Sequence, residues 1–342
     1  METVWTYCFV NRNPTVGEFL YFRRGAGNIE AFARTTRRRR LAVREQLGRV
    51  MAATRQVSAN GVGFTVLDEG AGPLALCLHG FPDGPQSFEP MLGALAAAGY
   101  RAVAPFMRGY APTEIPADGR YQTAALGHDV LALVSALGAE RAVVIGHDWG
   151  AAAAYAAAVI EPARISRLVT LAAPYGPGLF ARLITDPVQQ RRSWYMYLLT
   201  TPLGEAALAH DDFHLIDRLW ADWSPGFEVN AGLMEEIKAS FRQPGVATAA
   251  ASYYRHVFLA ALHDPLLADL QQRIGRDPIA VPALYLQGSL DGCIGSDVET
   301  DAGLFSAGVR TEMVHGAGHF LHVEKPDEVN AMILEFLSVC PG

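Results

Sequence analysis

The chain has 342 residues, a formal net charge of −7 and a hydrophobic content of 50%, which is typical of a globular enzyme and argues against general disorder. The acidic balance argues against a nucleic-acid-binding surface. Since no apolar run reaches the roughly 20 residues needed to cross a bilayer, stable membrane insertion is not predicted either.

The first fifty residues differ in composition from the rest of the chain. They carry ten arginines, including the run at 37–40, against four acidic residues. Because no apolar stretch is followed by a small-residue cleavage site, the signal for a targeting segment is weak. We interpret residues 1–50 as a loosely ordered basic extension, or as sequence upstream of a natural start at Met51.

From residue 63 onward, strand and helix patterns alternate. Short β-branched and apolar runs predict strands at 63–67, 74–78, 101–104, 142–145, 168–172, 283–286 and 311–314. Apolar residues at helical spacing predict helices at 91–98, 123–137, 151–159 and 327–338. This alternation predicts an α/β fold with a mostly parallel sheet covered by helices on both faces.

The alternation stops after Pro174. Residues 175–276 are rich in aromatic residues and helical in pattern, and strand character resumes only at Val281. A long helical insertion between two core strands is typical of a cap over the carboxyl ends of the sheet, where ligands bind in open α/β folds. We therefore predict a core of residues 51–174 and 277–342 and a helical cap of residues 175–276.

The segment 146–150 reads Gly-His-Asp-Trp-Gly and joins a predicted strand to an alanine-rich helix. A sharp strand-to-helix turn of this kind exposes a nucleophile at the top of an α/β-hydrolase sheet, and its small residues permit close backbone approach. Asp148 stands where many such hydrolases carry serine. A free Asp titrates at about pH 3.9, so the carboxylate needs no activating base and leaves an alkyl ester when it attacks carbon. This favours epoxide or carbon–halogen opening over ester cleavage.

An alkyl ester on Asp148 must be hydrolysed, which requires a water-activating base and a partner that orients it. His319 follows the last predicted strand, and Asp291 ends the strand before it. The chain order Asp148, Asp291, His319 is the nucleophile, acid, histidine order of this fold. We predict these three residues as a catalytic triad.

The segment 79–82, His-Gly-Phe-Pro, follows the predicted strand at 74–78. We expect the backbone N–H groups of Phe81 and Trp149 to form the oxyanion hole, and we interpret His79 as a hydrogen-bonded scaffold residue. The residues predicted for the substrate pocket are His79, Phe81, Pro82, Trp149, Trp194 and Phe320.

Together with the segments 108–110 (Arg-Gly-Tyr) and 318–320 (Gly-His-Phe), these motifs resemble the α/β-hydrolase epoxide hydrolases over roughly residue 57 to the C-terminus. In that family two cap tyrosines hold and protonate the epoxide oxygen. The resemblance implies Tyr195 and Tyr254 for this role, with Tyr197 and Tyr253 as the alternatives. A phenol, with a pKa of about 10, can hydrogen-bond to the opening oxygen and donate its proton.

Two residues depart from the family pattern. Phe106 stands where the family more often has an acid, and Cys293 closely follows Asp291; we interpret Cys293 as a packed thiol. The cysteines have no metal-like or disulfide spacing, so we predict free thiols, a cytoplasmic location and no metal or other cofactor. The cap histidines, His256 and His263 among them, are interpreted as helix caps or solvent-facing side chains.

The sequence therefore predicts an epoxide hydrolase that uses water to convert an apolar or aryl epoxide to a vicinal diol. A haloalkane dehalogenase with the same Asp nucleophile remains an alternative, although Phe81 stands where dehalogenases usually carry Asn or Glu. A catalytically silent hydrolase fold that binds a small ligand is a third reading. The sequence leaves a homodimer open.

Overall fold

The structure is a computed structural model that describes residues 5–10, 18–25, 28–32 and 53–338. The chain divides into two compact units, Met1–Met51 and Ala52–Gly342. In the first unit, strands β1 (Trp5–Val10), β2 (Glu18–Gly25) and β3 (Asn28–Phe32) form an antiparallel sheet in that order. The segment interpreted from the sequence as a loosely ordered extension thus contains three strands. Their aromatic and β-branched residues favour strand pairing. The arginine run at 37–40 lies outside the described residues.

The second unit is built on an eight-stranded sheet with the order β11-β10-β9-β8-β6-β7-β5-β4. Its strands are β4 (Ala53–Ala59), β5 (Val62–Gly70), β6 (Leu74–Leu78), β7 (Arg101–Pro105), β8 (Ala142–His147), β9 (Ile165–Leu171), β10 (Ala283–Gly288) and β11 (Val309–Val314). All pairs are parallel except β4 with β5 and β5 with β7. The predicted fold class, a mostly parallel α/β sheet, is confirmed.

Strand β4 was missed by the sequence analysis. It is an edge strand with mostly exposed residues, so it lacks the apolar run that indicates a buried strand. The turn that joins it to β5 is formed by Asn60 and Gly61, which both have positive φ angles of 46° and 72°. An Asn-Gly pair between two strands is a strong hairpin signal, and it was available in the sequence.

The helices in chain order are α1 (Glu89–Ala97), α2 (Thr123–Ala136), α3 (Trp149–Ile160), α4 (Gly178–Thr185), α5 (Pro187–Arg192), α6 (Trp194–Leu199), α7 (Pro202–Ala209), α8 (His214–Trp223), α9 (Ala231–Phe241), α10 (Val246–Phe258), α11 (Ala268–Arg273), α12 (Leu321–Glu324) and α13 (Pro326–Ser338). Helices α2 and α3 bury their apolar residues in one core cluster, and α1 and α13 bury theirs in another. Alternate residues of β6 enter the two clusters, Leu76 the first and Cys77 the second. Helices therefore cover both faces of the sheet.

The chain between β9 and β10 contains helices α4 to α11 and no strand among the described residues. This helical segment shares a hydrophobic cluster with the sheet, through residues such as Tyr195 and Tyr254, and belongs to the same compact unit. It begins after the carboxyl end of β9 and ends before β10, and we refer to this helical segment as the cap. Among the residues described, no helix combines the length and the apolar character that crossing a membrane requires.

Candidate active site

Strand β8 ends and helix α3 begins with a single residue, Asp148, between them. Its backbone adopts φ 53° and ψ −116°, a conformation that non-glycine residues rarely adopt. The glycines on either side allow the turn: a Cβ atom on Gly146 would lie 2.3 Å from the carbonyl oxygen of Gly150, and a Cβ on Gly150 would lie 2.0 Å from that of Leu78. The sequence thus folds into a sharp turn that directs the Asp148 side chain into a cavity.

The Asp148 carboxylate lies between the 79–82 segment and His319. The backbone N–H of Phe81 donates a hydrogen bond to Asp148 Oδ1 at 2.8 Å. Trp149 is the first residue of α3, so its N–H has no acceptor within the helix and belongs to the positive helix terminus. Close approach of the 79–82 segment requires Gly80, because a Cβ there would lie 2.3 Å from Asp148 Oδ1. The two predicted oxyanion-hole residues therefore flank the carboxylate.

The other two predicted triad residues contact each other at the carboxyl ends of β10 and β11. His319 Nδ1 lies 3.0 Å from Asp291 Oδ2, and His319 Nε2 lies 3.7 Å from Asp148 Oδ2. Asp291 Oδ1 accepts hydrogen bonds from the backbone N–H groups of Cys293 and Ile294, at 2.7 and 3.0 Å. The Asp291 carboxylate is thereby fixed, and it holds the imidazole with Nε2 turned to Asp148.

The charges around His319 change its basicity. Burial by itself would lower the pKa of His319, but the Asp291 and Asp148 carboxylates on either side raise it to about 10. With Asp148 ionised, the imidazole is therefore protonated at neutral pH and forms a charged bridge between the two acids. Loss of either carboxylate charge would lower the pKa of His319 and release its proton.

Two cap tyrosines border the same cavity as Asp148. Tyr195 is on α6 and Tyr254 on α10, with ring centroids 5.5 Å apart and an interplanar angle of 83°. Burial raises the pKa of both phenols, and the Asp148 charge raises both further. Both hydroxyls therefore keep their protons at neutral pH and can act as donors.

The alternative tyrosines lie elsewhere. The Tyr253 hydroxyl donates a hydrogen bond to the carbonyl oxygen of Arg108 at 2.9 Å, so it supports the 108–110 segment. Tyr197 is 42% exposed and packs against Phe258. Of these four tyrosines, the structure brings Tyr195 and Tyr254 to the cavity.

The cavity has a volume of about 250 Å³. Apolar residues of the cap, including Leu179, Phe180 and Ile274, form part of its wall. Among the described residues that border it, none is Lys, Arg or Glu. Apart from Asp148, the wall suits a neutral and largely apolar ligand.

Five of the six residues predicted for the substrate pocket do not border this cavity: His79, Phe81, Pro82, Trp194 and Phe320. His79 Nε2 accepts a hydrogen bond from the Met107 N–H at 3.0 Å, which is a scaffold role. Pro82 accepts one from the indole N–H of Trp220, on which Phe320 stacks, and the Trp194 ring faces a guanidinium of the cap. These side chains turn away from this cavity, because proximity along the chain does not determine where a side chain points.

Phe81 and Trp149 were also predicted for the pocket. Trp149 borders the cavity, whereas the Phe81 ring packs behind it against the rings of Tyr195 and Tyr254, with centroids 6.3 and 5.3 Å away. Phe81 therefore supports the two phenols from the core side.

Two further residues of the wall, His256 and His263, were not predicted for the site. From the sequence, the cap histidines were interpreted as helix caps or solvent-facing side chains. His256 Nδ1 lies 2.8 Å from the carbonyl oxygen of Ser252, and burial lowers the pKa of His256, so the side chain is neutral. No sequence motif marks these positions, because they meet the site only through the packing of the cap.

Two groups of described side chains could supply three metal ligands within 4.8 Å of one another: Asp83 with His147 and His322, and Asp291 with Cys293 and His319. The second group overlaps the triad. In the first, His147 Nε2 lies 3.0 Å from the His319 carbonyl oxygen, and Asp83 accepts a hydrogen bond from Ser87. The first group therefore supports the turn beneath Asp148. The absence of a metal or cofactor stays a prediction.

Comparisons with known proteins identify the family of the chain. Residues 73–326 match the family described as the alpha/beta hydrolase fold. Epoxide hydrolase A of Mycobacterium tuberculosis is 29% identical over 324 residues, covering 83% of this chain and 97% of that protein. Epoxide hydrolase 3 of Xenopus tropicalis is 30% identical over 288 residues, covering 81% of this chain and 75% of that protein.

Solved structures show the same relationship. The crystal structure of Epoxide Hydrolase A from Mycobacterium thermoresistibile superposes with a TM-score of 0.69 at 27% identity and covers 84% of this chain and 98% of its own. The Bacillus megaterium epoxide hydrolase, solved in complex with an inhibitor, has a TM-score of 0.73 at 24% identity, covers 83% of this chain and 100% of its own, and supports the fold. The chain therefore belongs to the epoxide hydrolase family of the α/β-hydrolase fold.

Proposed function

We propose that this protein hydrolyses a neutral apolar or aryl epoxide to a vicinal diol through a covalent ester on Asp148. The observation that carries the proposal is the meeting of two buried phenols, Tyr195 and Tyr254, with the Asp148 carboxylate around one apolar cavity. The relatives named epoxide hydrolases support the same activity.

In the first step, Asp148 Oδ2 attacks an epoxide carbon and the ring carbon–oxygen bond breaks. Oδ1 cannot readily attack, because it accepts the Phe81 N–H. The departing oxygen develops negative charge, which the hydroxyls of Tyr195 and Tyr254 stabilise until one of them donates its proton. The product of this step is an alkyl ester that carries a neighbouring hydroxyl group.

Ester formation removes the negative charge of Asp148. One of the two charges that raise the pKa of His319 is then lost, so the pKa of the imidazolium falls. The imidazolium gives a proton to the phenolate formed in the first step and becomes a neutral base. In the second step, His319 takes a proton from water, and the oxygen of that water attacks the Asp148 carbonyl carbon. The negative charge forms on Oδ1, where the Phe81 and Trp149 N–H groups stabilise it. Collapse of this intermediate breaks the ester carbon–oxygen bond, and the proton of the resulting carboxylic acid passes to the departing oxygen. The diol is thereby released and the Asp148 carboxylate restored beside the imidazolium.

A single turnover in ¹⁸O water tests the covalent step. We expect one label in the Asp148 carboxylate, detected by mass spectrometry of the peptide that contains it. Label found only in the diol would contradict the ester intermediate.

A parallel assay with styrene oxide, an aliphatic epoxide and a bromoalkane tests the reaction type. We expect diol from an epoxide and no halide from the bromoalkane. A halide is a stable anion that needs no proton, so two buried phenols are better suited to a developing alkoxide. Halide release without diol formation would favour the dehalogenase alternative.

A further inference from the structure

The two cap phenols have different partners. The Tyr195 hydroxyl lies 3.3 Å from Cys293 Sγ, and both groups are buried. The Tyr254 hydroxyl is equally buried but has no hydrogen-bond acceptor among the described residues, since the neighbouring Trp149 indole can only donate to it. The contact with Cys293 is therefore a difference between two phenols that have the same part in the proposed mechanism.

Cys293 itself is held rigidly. Its backbone N–H donates to Asp291 Oδ1 at 2.7 Å, and its carbonyl oxygen accepts the Gln189 side-chain amide at 2.9 Å. The same residue thus anchors the triad acid through its backbone and contacts a cap phenol through its side chain. The side chain is 1% exposed, and burial raises the pKa of the thiol. The sulfur is therefore an uncharged thiol and has no thiolate reactivity at neutral pH.

A thiol is a weak donor and a weak acceptor. Its contact can orient the Tyr195 hydroxyl in the free protein, yet an oxygen atom of a ligand can displace it at small cost. A stronger fixed partner would compete with the ligand, whereas an apolar neighbour would leave the buried hydroxyl with nothing to orient it. The strength of the sulfur contact lies between that of a firm hydrogen bond and that of an apolar contact, so it can orient the hydroxyl and still be displaced by the ligand.

We propose that Cys293 is a positioning residue that orients the Tyr195 hydroxyl toward the cavity and gives it up to the substrate oxygen, while Tyr254 supplies a donor that is not engaged beforehand. This inference rests on the proposed function. It also accounts for the side chain of Cys293, which the sequence analysis identified as a departure from the family pattern.

Three substitutions separate orientation from packing. Cys293→Val fills the space without a polar atom, Cys293→Ser keeps a polar atom in less space, and Cys293→Ala removes both. We expect the Val and Ala variants to lose about three- to tenfold in kcat/KM for the epoxide, and the Ser variant to stay within about threefold of the unsubstituted protein. If Val retains full activity and Ser loses it, the side chain serves packing and the proposal is wrong.

The same substitutions in two backgrounds identify the phenol concerned. In a Tyr195→Phe background the difference between Val and Ser should disappear, because the hydroxyl that residue 293 contacts is gone. In a Tyr254→Phe background the difference should persist. Equal differences in both backgrounds would overturn the pairing of Cys293 with Tyr195.

A spectroscopic measurement makes the test independent of turnover. The infrared S–H stretching band of Cys293, assigned by its loss in Cys293→Val, should shift in Tyr195→Phe and stay in place in Tyr197→Phe. An unshifted band in Tyr195→Phe would overturn the contact. A shifted band in a protein that forms no diol would instead show that the contact exists and that the proposed function has failed.

Discussion

The sheet side and the cap side of the site hold their functional groups in different ways. On the sheet side, the Asp291 carboxylate accepts hydrogen bonds from two backbone N–H groups and the Gln287 side chain, and it also pairs with His319. On the cap side, the Tyr195 hydroxyl has one weak sulfur partner, and the Tyr254 hydroxyl has no acceptor among the described residues. The sheet therefore fixes the groups proposed to form and hydrolyse the ester, whereas the cap carries the proposed donors, which can follow the ligand.

The largest expected effect comes from removing the nucleophile on the sheet side. Asp148→Ala should lower kcat by about 10⁴-fold or more, as the loss of a triad member does in other hydrolases. Diol formation at saturating epoxide measures this, and circular dichroism checks that the fold is retained. Residual turnover within tenfold of the unsubstituted protein would show that the Asp148 carboxylate does not attack the substrate.

Replacing the base should separate the two steps. In His319→Gln, ester formation should continue while its hydrolysis slows by about 10³-fold, because water loses its proton acceptor. Intact mass spectrometry should then show protein carrying one epoxide mass, and peptide mapping should place it on Asp148. A variant that is inactive and carries no adduct would assign His319 a part in the first step as well.

The same contrast explains how much could be predicted from the sequence. Asp148, Asp291 and His319 each follow a strand of the parallel part of the sheet, and parallel strands bring their carboxyl ends to one edge, so chain order was enough to predict that they meet. The cap has no such rule, because its helices pack by side-chain fit. Trp194 was therefore predicted for the pocket although it does not border this cavity, whereas His256 borders it and was not predicted.

Some features of the sheet domain could not be predicted from the sequence either. Strand β4 lacks an apolar run, and Asp83, His147 and His322 meet only in three dimensions. The Asn60-Gly61 turn, by contrast, carried a recognisable signal.

A third prediction concerns the cap donors. Tyr254→Phe should lower kcat/KM by about 10- to 100-fold, because a buried donor to the opening oxygen is lost while the ring is kept. Tyr197→Phe is the matched control, since that hydroxyl belongs to an exposed side chain outside the cavity. Steady-state assays of both variants decide the matter. Equal activities would place the proton donor elsewhere in the cap.

The smallest effect concerns stability as a function of pH. The pKa of His319 is raised from 6.5 to about 10 in the folded protein, so protonation contributes stability that is fully present below about pH 6.5 and is lost as the pH rises through about 10. Asp148→Asn removes one of the charges responsible, so this stabilisation should be smaller and should be lost completely at a lower pH. Thermal denaturation from about pH 6 to about pH 10 measures the difference.

NMR titration of the His319 ring provides the direct check. A ring that titrates near 6.5 in the unsubstituted protein would show that the two carboxylates do not control its charge.

The backbone of Asp148 has a consequence for the evolution and engineering of this protein. A non-glycine residue at φ 53° carries a conformational cost of about 1–3 kcal/mol, which the surrounding structure must offset. Glycine at this position would relieve that cost, but it would also remove the proposed nucleophile and its contacts with Phe81 and His319. Because relief of strain and loss of turnover would occur together at this residue, a screen for more stable variants must also measure turnover.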